Sequence, residues 1–530
     1  MEDSKMNRRR SKKPGKNIMD LPNELLQLIF SFVRGSYDCL EYKGNDSLFC
    51  QHLDRRADIA RVRLTCGRFY DNSCHLLVDH FEINLEPKCL SRLQYLSQHP
   101  YLYKGIRSVE FRLELYHSRL AQSRRRFAST WAQFLDWNIH HLGFRTRSWQ
   151  LGRDGDQVMQ KREIARAKWE AVADSPLWSE NDDDDDLETL SHCYKEYCQR
   201  FEAQRALMGS QEFIQSVVAA LCQMPRLRSL LFVDGGSRLS DGFSRGIPHE
   251  SPDATTLLDF GMAYVKPHAI QLQTAAGLNP EVPVDVITSI LSSLAATEVR
   301  PRNVAIRLTG AFSTTSKVQD PEIAKNISLV TERLGAISCH ISQDIGSPSD
   351  AQIGNIYDFI SLFTGADNLT RISIKLPRYS PKNWGIGPLL NGLECPQLTH
   401  ISLDQAHIHS HELVQFISKR RRNRSPGLHV GLRGVGLITG SWVPVLDSLR
   451  GRAGPYSTII DPWGDELGEI GHMVYQSLFD WSTFQGGRRL TKVEEYIINP
   501  NNVSRPNPLY LALTSAQHTA HITHLPLMLI

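Results

Sequence analysis

The chain has 530 residues, with 60 Lys and Arg against 57 Asp and Glu, for a formal net charge of +3. At 41% apolar and 22% charged residues, it has the composition of a globular protein, which excludes collagen-like, mucin-like and wholly disordered chains. Near-neutrality argues against nucleic-acid binding by the chain as a whole, and no apolar run approaches the roughly 18–20 residues that span a bilayer. No signal peptide is visible, because the first sixteen residues are strongly polar. Ten cysteines are scattered without a CxxC pair. That usage fits reduced thiols in an intracellular protein better than a disulfide framework. The length suits an enzyme, and a core of good size.

Residues 1–17 form a basic tail in which Lys5, Arg8, Arg9, Arg10, Lys12, Lys13 and Lys16 face only Glu2 and Asp3. Self-repulsion and the lack of apolar groups predict disorder there. The run RRRSKKPGK serves either as a nuclear localisation signal or as a plain solvated tail, so nuclear and cytoplasmic locations both stay open. A helix is predicted from Leu21-Pro22. Pro22 suits a first turn, and Asp20 and Glu24 suit the positive end of the helix dipole. Leu25, Ile29, Phe32 and Val33 recur at i, i+4, i+7 and i+8, with Leu26, Leu28 and Phe30 off that stripe. A short helix apolar nearly all round is deeply buried or awaits a partner. Residues 34–54 read as a loop. A second helical pattern starts near Asp58 (Ile59, Val62, Leu64, Cys66, Phe69), and a third covers 71–81 with Cys74, Leu77, Val78 and Phe81 on one side. Together these make a helical module at 18–84.

The segment Leu21-Pro22-Asn23-Glu24-Leu25-Leu26-Gln27-Leu28-Ile29-Phe30-Ser31-Phe32 resembles the opening signature of the F-box. The segment Ala60-Arg61-Val62-Arg63-Leu64-Thr65-Cys66-Gly67-Arg68-Phe69 resembles its second signature. The gap between the two, which includes Gly44–Asp54, is longer than is usual in that family. The resemblance implies docking on a Skp-type adaptor, and through it on cullin. The residues carried over by position are Leu21, Pro22, Leu25, Ile29, Leu64, Cys66 and Phe69.

Beyond the module an apolar helical segment, a polar turn and L-x-x-L-x-L recur across 85–424. The copies are Leu90–Leu96 with Ile106, Val109 and Phe111; Phe213–Leu221 with Leu227, Leu230 and Phe232; Val286–Leu294 with Ile306 and Leu308; Ile356–Phe363 with Leu369, Ile372 and Ile374; and Leu398, Ile401 and Leu403 before a helix at Leu413–Ile417. The spacing resembles degenerate leucine-rich repeats, in which parallel strands stack beneath helices. A generic parallel α/β domain is the alternative. An insertion at 114–210 reads as long helices (Arg119–Leu135, Gln157–Ala173, Leu187–Leu207). Its acidic run, Asp182–Asp186 within 180–188, is expected to be a flexible loop capping a hairpin. Five of the nine Trp fall in this insertion (Trp131, Trp137, Trp149, Trp169, Trp178), expected chiefly to pack the hairpin. Residues 425–530 continue the body, with strand-like pieces at Leu428–Leu432, Ser457–Ile460 and Tyr496–Ile498. The order of parts resembles the filamentous-fungal F-box proteins.

No GxxxxGK, HExxH, GxSxG or kinase signature is present. His407, His409 and His411 with Glu412 read as a helix start rather than a zinc site. His518, His521 and His524 align only on a short helix, and His192, Cys193 and Cys198 lack a second ligand pair. The fold class expected is α/β: a helical F-box module, then an irregular leucine-rich-repeat-like body with parallel strands and a helical insertion. The function implied is a non-catalytic substrate receptor of a Skp–cullin–F-box ubiquitin ligase, needing no cofactor or metal and binding a target protein rather than nucleic acid or membrane. A scaffold outside a ligase, or an α/β enzyme whose first helices only resemble the motif, are the alternatives.

Overall fold

The computed structural model describes residues 18–34, 56–146, 154–174, 184–234, 258, 265, 284–309, 320–341, 349–377, 384–393, 395–419, 427–470, 472–479, 490–499 and 505–523. The basic tail, the Gly44–Asp54 stretch, Asp182, Asp183, Trp149, Trp178 and His524 lie outside them, as does the side chain of Trp137.

Among the described residues nine strands form one wholly parallel sheet: β1 (His80–Asn84), β2 (Ser108–Arg112), β3 (Ser229–Val233), β4 (Asn303–Leu308), β5 (Ala336–Ile341), β6 (Arg371–Lys375), β7 (His400–Asp404), β9 (His429–Arg433) and β11 (Thr458–Ile460). They lie in chain order. A two-residue ladder, β8 (His407–Ile408) with β10 (Gly436–Leu437), runs beside the last repeats. Helices α4 (Pro87–Gln98), α9 (Gln211–Cys222), α10 (Val284–Leu294), α11 (Pro321–Thr331), α12 (Asp350–Thr364), α13 (Gly387–Asn391), α14 (Ser410–Ser418) and α15 (Trp442–Leu449) form the crossovers. Each packs on the next in that same order. A row of helices touching in chain order must lie on one face of the sheet.

The strands dictate this cover. Side chains alternate across a strand, and Val109, Phe111, Leu230, Phe232, Val304, Ile306, Ile372, Ile374, Ile401 and Leu403 all point into one buried core with the helices. Burying each contributes on the order of 1.5–3 kcal/mol. Ile106, Leu227, Leu334, Leu369 and Leu398 each stand three residues before an inward strand residue. In the last four the backbone N–H donates to a carbonyl three residues back, turning the chain from helix into strand. Ile372, Ile401 and Val430 are paired in register across β6, β7 and β9. Both intervals equal 29 residues (401 − 372 and 430 − 401).

The expected α/β class with parallel strands is what the structure has, and every helix-strand copy read from the spacing is present. Three local expectations are corrected. The stretch 71–81 is not one helix: α3 (Gly67–Ser73) ends, a 3-10 turn follows at Cys74–Leu76, and Phe81 lies on β1. His80–Asn84 alternates strictly, so Phe81 and Ile83 enter the sheet core, and those five residues belong to the sheet. Tyr496–Ile498 is helical, the end of α17 (Lys492–Ile498). A capping box between Thr491 and Glu494 sets that helix going. The acidic run is partly structured. Asp184 caps α8 (Asp185–Gly209) by accepting from Asp186 N at 2.9 Å, and Lys168 Nζ lies 2.9 Å from Asp184 and 2.5 Å from Asp186. That lysine holds the Asp184 carboxyl below its usual range.

The insertion carries its own core between α6 (Arg124–Thr146), α7 (Asp154–Asp174) and α8. Trp131 stacks on Phe127 at 3.8 Å, and Trp131 and Trp169 are fully buried, so these two pack the hairpin as expected. Gln204 fastens α8 to the sheet: its Nε2 donates to Leu85 O and Glu114 O, and its Oε1 accepts from Tyr116 N at 2.8 Å. At the far end α16 (His472–Phe479), α17 and α18 (Pro508–Thr523) pack together, α17 and α18 lying against α15. Among the described residues no helix is long and apolar enough to cross a membrane.

The N-terminal module sits against the first strands. A Cβ on Gly105 would overlap the carbonyl oxygen of His75, so only glycine permits this approach. Gly105→Ala is expected to cost about 1–3 kcal/mol or more, read as a lowered denaturant midpoint. An unchanged midpoint would mean that module and sheet are not seated this way.

Candidate functional site

Helix α1 (Asn23–Arg34) and helices α2 (Arg56–Arg63) and α3 enclose a small core of Leu26, Phe30, Ile59, Phe69 and Leu76. Phe30 meets Phe69 edge-on at 5.0 Å. A polar clasp joins α1 to α3. Gln27 Nε2 donates to Asn72 Oδ1 at 3.1 Å, Asn72 Nδ2 donates to Asn23 Oδ1, and Arg68 donates to Asn23 Oδ1 and to the carbonyls of Met19 and Leu21. Arg34, at the end of α1 and buried, pairs with Asp79 at 2.7 Å just before β1. The module is therefore closed on itself and tied to the sheet.

Its core uses the 26-30 side of α1. The opposite side carries Leu25, Leu28, Ile29 and Phe32 at i, i+3, i+4 and i+7, all exposed, with Leu25 at 45% and Phe32 at 65%. Leu64, in the break between α2 and α3, is 87% exposed. The stripe is apolar surface that the module's own core leaves over. Of the residues singled out from the sequence, Pro22, Leu25, Ile29 and Leu64 are on the surface, and Leu21 and Cys66 are half-buried. Phe69, at 9% exposure, lies in the module's own core, edge-on to Phe30. Leu28 and Phe32 belong to the exposed stripe and were missing from that set. Their i+3 and i+7 spacing from Leu25 was the signal.

A second surface is the sheet face away from the helices. Its outward residues fall in register. One row runs Arg371, His400, His429; a middle row runs Ser373, Ser402, Gly431, Thr458; a third runs Lys375, Asp404, Arg433, Ile460. The His400 and His429 rings pack at 4.4 Å with their planes tilted by 32°, and Thr399 Oγ1 lies 2.8 Å from His400 Nδ1. Burial first, then His429 and Arg371, pushes the His400 pKa down to about 4. His429 is lowered by burial and Arg371. At the other end of the sheet, Arg112 lies among Glu82, Glu110 and Glu114 at 3.2–3.4 Å, and His80 Nε2 is 3.4 Å from Glu110. Among the described residues His80, Glu82 and Glu110 are the group close enough to share a metal ion. Arg112 bridges those carboxylates, and the cluster reads as an ion network. The helix start read at His407–Glu412 is present, with α14 beginning at Ser410. His407 is buried against Trp463 at 4.4 Å, and His409 precedes α14 as its cap.

Set against models of known protein families and against curated proteins, the chain matches none.

Two expected outcomes follow from these surfaces. Phe30→Ala should cost about 3–5 kcal/mol and Phe32→Ala less than about 0.5 kcal/mol in denaturant unfolding. Comparable losses would mean that α1 is turned the other way. His400 is neutral when folded but protonates below pH 6.5 when unfolded, so stability falls as pH drops from 6.5 towards 4. His75, His117 and His429, also lowered, act in the same direction. His400→Gln should make the midpoint less acid-sensitive without removing the dependence.

Proposed function

We propose that the chain is the substrate-recognition subunit of a Skp–cullin–F-box-type ubiquitin ligase. The observation that carries this is the exposed Leu25, Leu28, Ile29 and Phe32 stripe, with Leu64 beside it, on a module whose own core is already filled. The F-box-like signatures at 21–32 and 60–69 supply the occupant: a Skp-type adaptor with cullin beyond it. On this reading the stacked repeats, of leucine-rich type, hold the target protein. Gly105, the Arg34–Asp79 pair and the Arg68 clasp keep docking face and repeats in a fixed relation. Catalysis is then by positioning. Holding a target lysine near the ubiquitin-charged enzyme raises its effective concentration, and this chain contributes no bond-making group, cofactor or metal.

Leu25→Asp with Ile29→Asp places two carboxylates on a surface, so the fold should survive and adaptor binding should weaken by at least about a hundredfold. Calorimetry with a purified Skp-type adaptor measures it. Undiminished binding with an unchanged melting temperature would reject the interface, and a complex that never recruits cullin would reject the ligase.

A further inference from the structure

We propose that the N-terminal edge of β2 to β5 is a binding site for a compact anion of linked phosphate groups, held by Lys104, Arg226, Arg302 and Arg333. This binding is independent of the adaptor docking proposed above.

Register brings the cations together. The carbonyl of Arg107 accepts from Arg228 N and Ser229 N, that of Arg228 from Arg302 N and Asn303 N, and that of Arg302 from Gly335 N and Ala336 N. Arg107, Arg228 and Arg302 are therefore neighbours at the entry to β2, β3 and β4, about 4.8 Å from strand to strand. Two residues earlier along each chain segment, a second row holds Arg226, Arg300 and Arg333 at the entry to β3, β4 and β5. Burial first, then Arg226, Arg107 and Lys104, holds the His75 imidazole below its usual range, so cations from two successive loops act on one point.

Availability sets which of them can bind. Arg226, Arg302 and Arg333 are exposed and make no side-chain hydrogen bond or ion pair among the described residues. Lys104 is exposed too and lies 5.6 Å from the centre of the Tyr103 ring. Arg300 is occupied by the carbonyls of Leu294, Ala295, Thr297 and Val299 at the end of α10. Arg107 and Arg228 have interactions of their own, so they and Arg300 contribute charge only. Of the carboxylates on the same loops, Glu298 and Glu332 are exposed without an ion pair among the described residues, and Asp79 is held by Arg34 at 2.7 Å.

The later repeats act as an internal control. There the first row continues as Gly335, Thr370 and Thr399, and the second as Asn368 and Gln397, so the fold needs no cation at either position. Like charges facing each other across neighbouring strands are destabilising. The arginine block bears that cost, and an anion lying over it would remove it.

Size and donor type decide the anion. Arg226 and Arg333 stand two strands apart with Arg302 between them, about 10 Å at the backbone, and three long side chains can close on one ligand. Guanidinium forks match phosphate oxygens bidentately. From β2 to β5 the block is about 14 Å wide. That is room for a short run of linked phosphates, and short of the roughly six to ten phosphate contacts that strongly salt-dependent nucleic-acid binding recruits. The backbone N–H groups at this edge are already donated to the carbonyls of Arg107, Arg228 and Arg302. An extended peptide therefore finds no free backbone to pair with, and the ligand is held by side chains.

Isothermal titration calorimetry of the full chain with inorganic tripolyphosphate tests the site. Binding should saturate, weaken with added salt and exceed that of orthophosphate at least about tenfold. It should fall at least about tenfold (~1.4 kcal/mol) in Arg226→Gln with Arg302→Gln, and likewise in Arg302→Gln with Arg333→Gln. Because these changes remove like charge, the melting temperature should stay equal or rise, which separates lost binding from lost folding. Asn368→Ala with Gln397→Ala, in the same rows of later repeats, should leave binding intact. So should Leu25→Asp with Ile29→Asp, which keeps this site distinct from adaptor docking. Vesicles bearing phosphatidylinositol bisphosphate tell the source: co-sedimentation that the Gln variants abolish puts the phosphates on a lipid headgroup, and none puts them on a soluble anion. No saturable binding of tripolyphosphate, no preference over orthophosphate, indifference to the Gln variants, or tighter binding of a single-stranded oligonucleotide or a phosphoserine peptide would each overturn the proposal.

Discussion

One constraint organises the molecule: the sheet is covered by helices on one face. Parallel strands need a crossover between every pair, and here each crossover returns to the same side, so that the helices touch in chain order. Inward positions on the strands must then be apolar. The opposite positions are under no such demand, and from β6 onward they are Ser, Thr, Gly, His, Arg, Lys and Asp, with one Ile at 460. A doubly wound sheet would have buried both faces and left no such surface. At its N-terminal end the same face changes character, with Leu231 and Val233 buried and Glu82, Glu110 and Arg112 in an ion network.

The module at the start of the chain meets a different limit. A core built around Leu26, Phe30, Ile59, Phe69 and Leu76 is small, and a helix offers it only one side. Helix α1 has apolar groups on both. Phe30 and Phe32 are chemically alike and two residues apart, yet one is buried and the other 65% exposed, because about 200° of helical turn separates them. The surplus is an exposed apolar surface, held in place by the buried Arg34 and by Gly105 at the seam.

Much of this fold was legible in the sequence, because L-x-x-L-x-L is a direct trace of the turn and the inward strand residues. Where the trace was blurred, the unit was missed. Leu334, Ile337 and Cys339 repeat the pattern on β5, but the last apolar group is a cysteine, fully buried. The start of β1, His80 and Phe81, reads as the end of a helix because five residues are too few to separate period 2 from period 3.6. Tyr496–Ile498 looked like a strand because its start signal, Thr491 with Glu494, lies upstream of the aromatic residues. The exposed stripe was half legible. An all-round apolar helix is either deeply buried or awaits a partner, and its pattern alone does not say which side is covered. The row on the open sheet face was not legible at all, since Arg371, His400 and His429 become neighbours only through register across strands about 29 residues apart.

Hydrogen–deuterium exchange of the full chain, alone and with a purified Skp-type adaptor, tests the docking face most directly. If the outer side of α1 is where the adaptor sits, exchange slows over 23–34 and 61–66 and is unchanged across strands β6 to β11. Unaltered exchange over 23–34 in the presence of bound adaptor, or protection falling on the sheet instead, would contradict it.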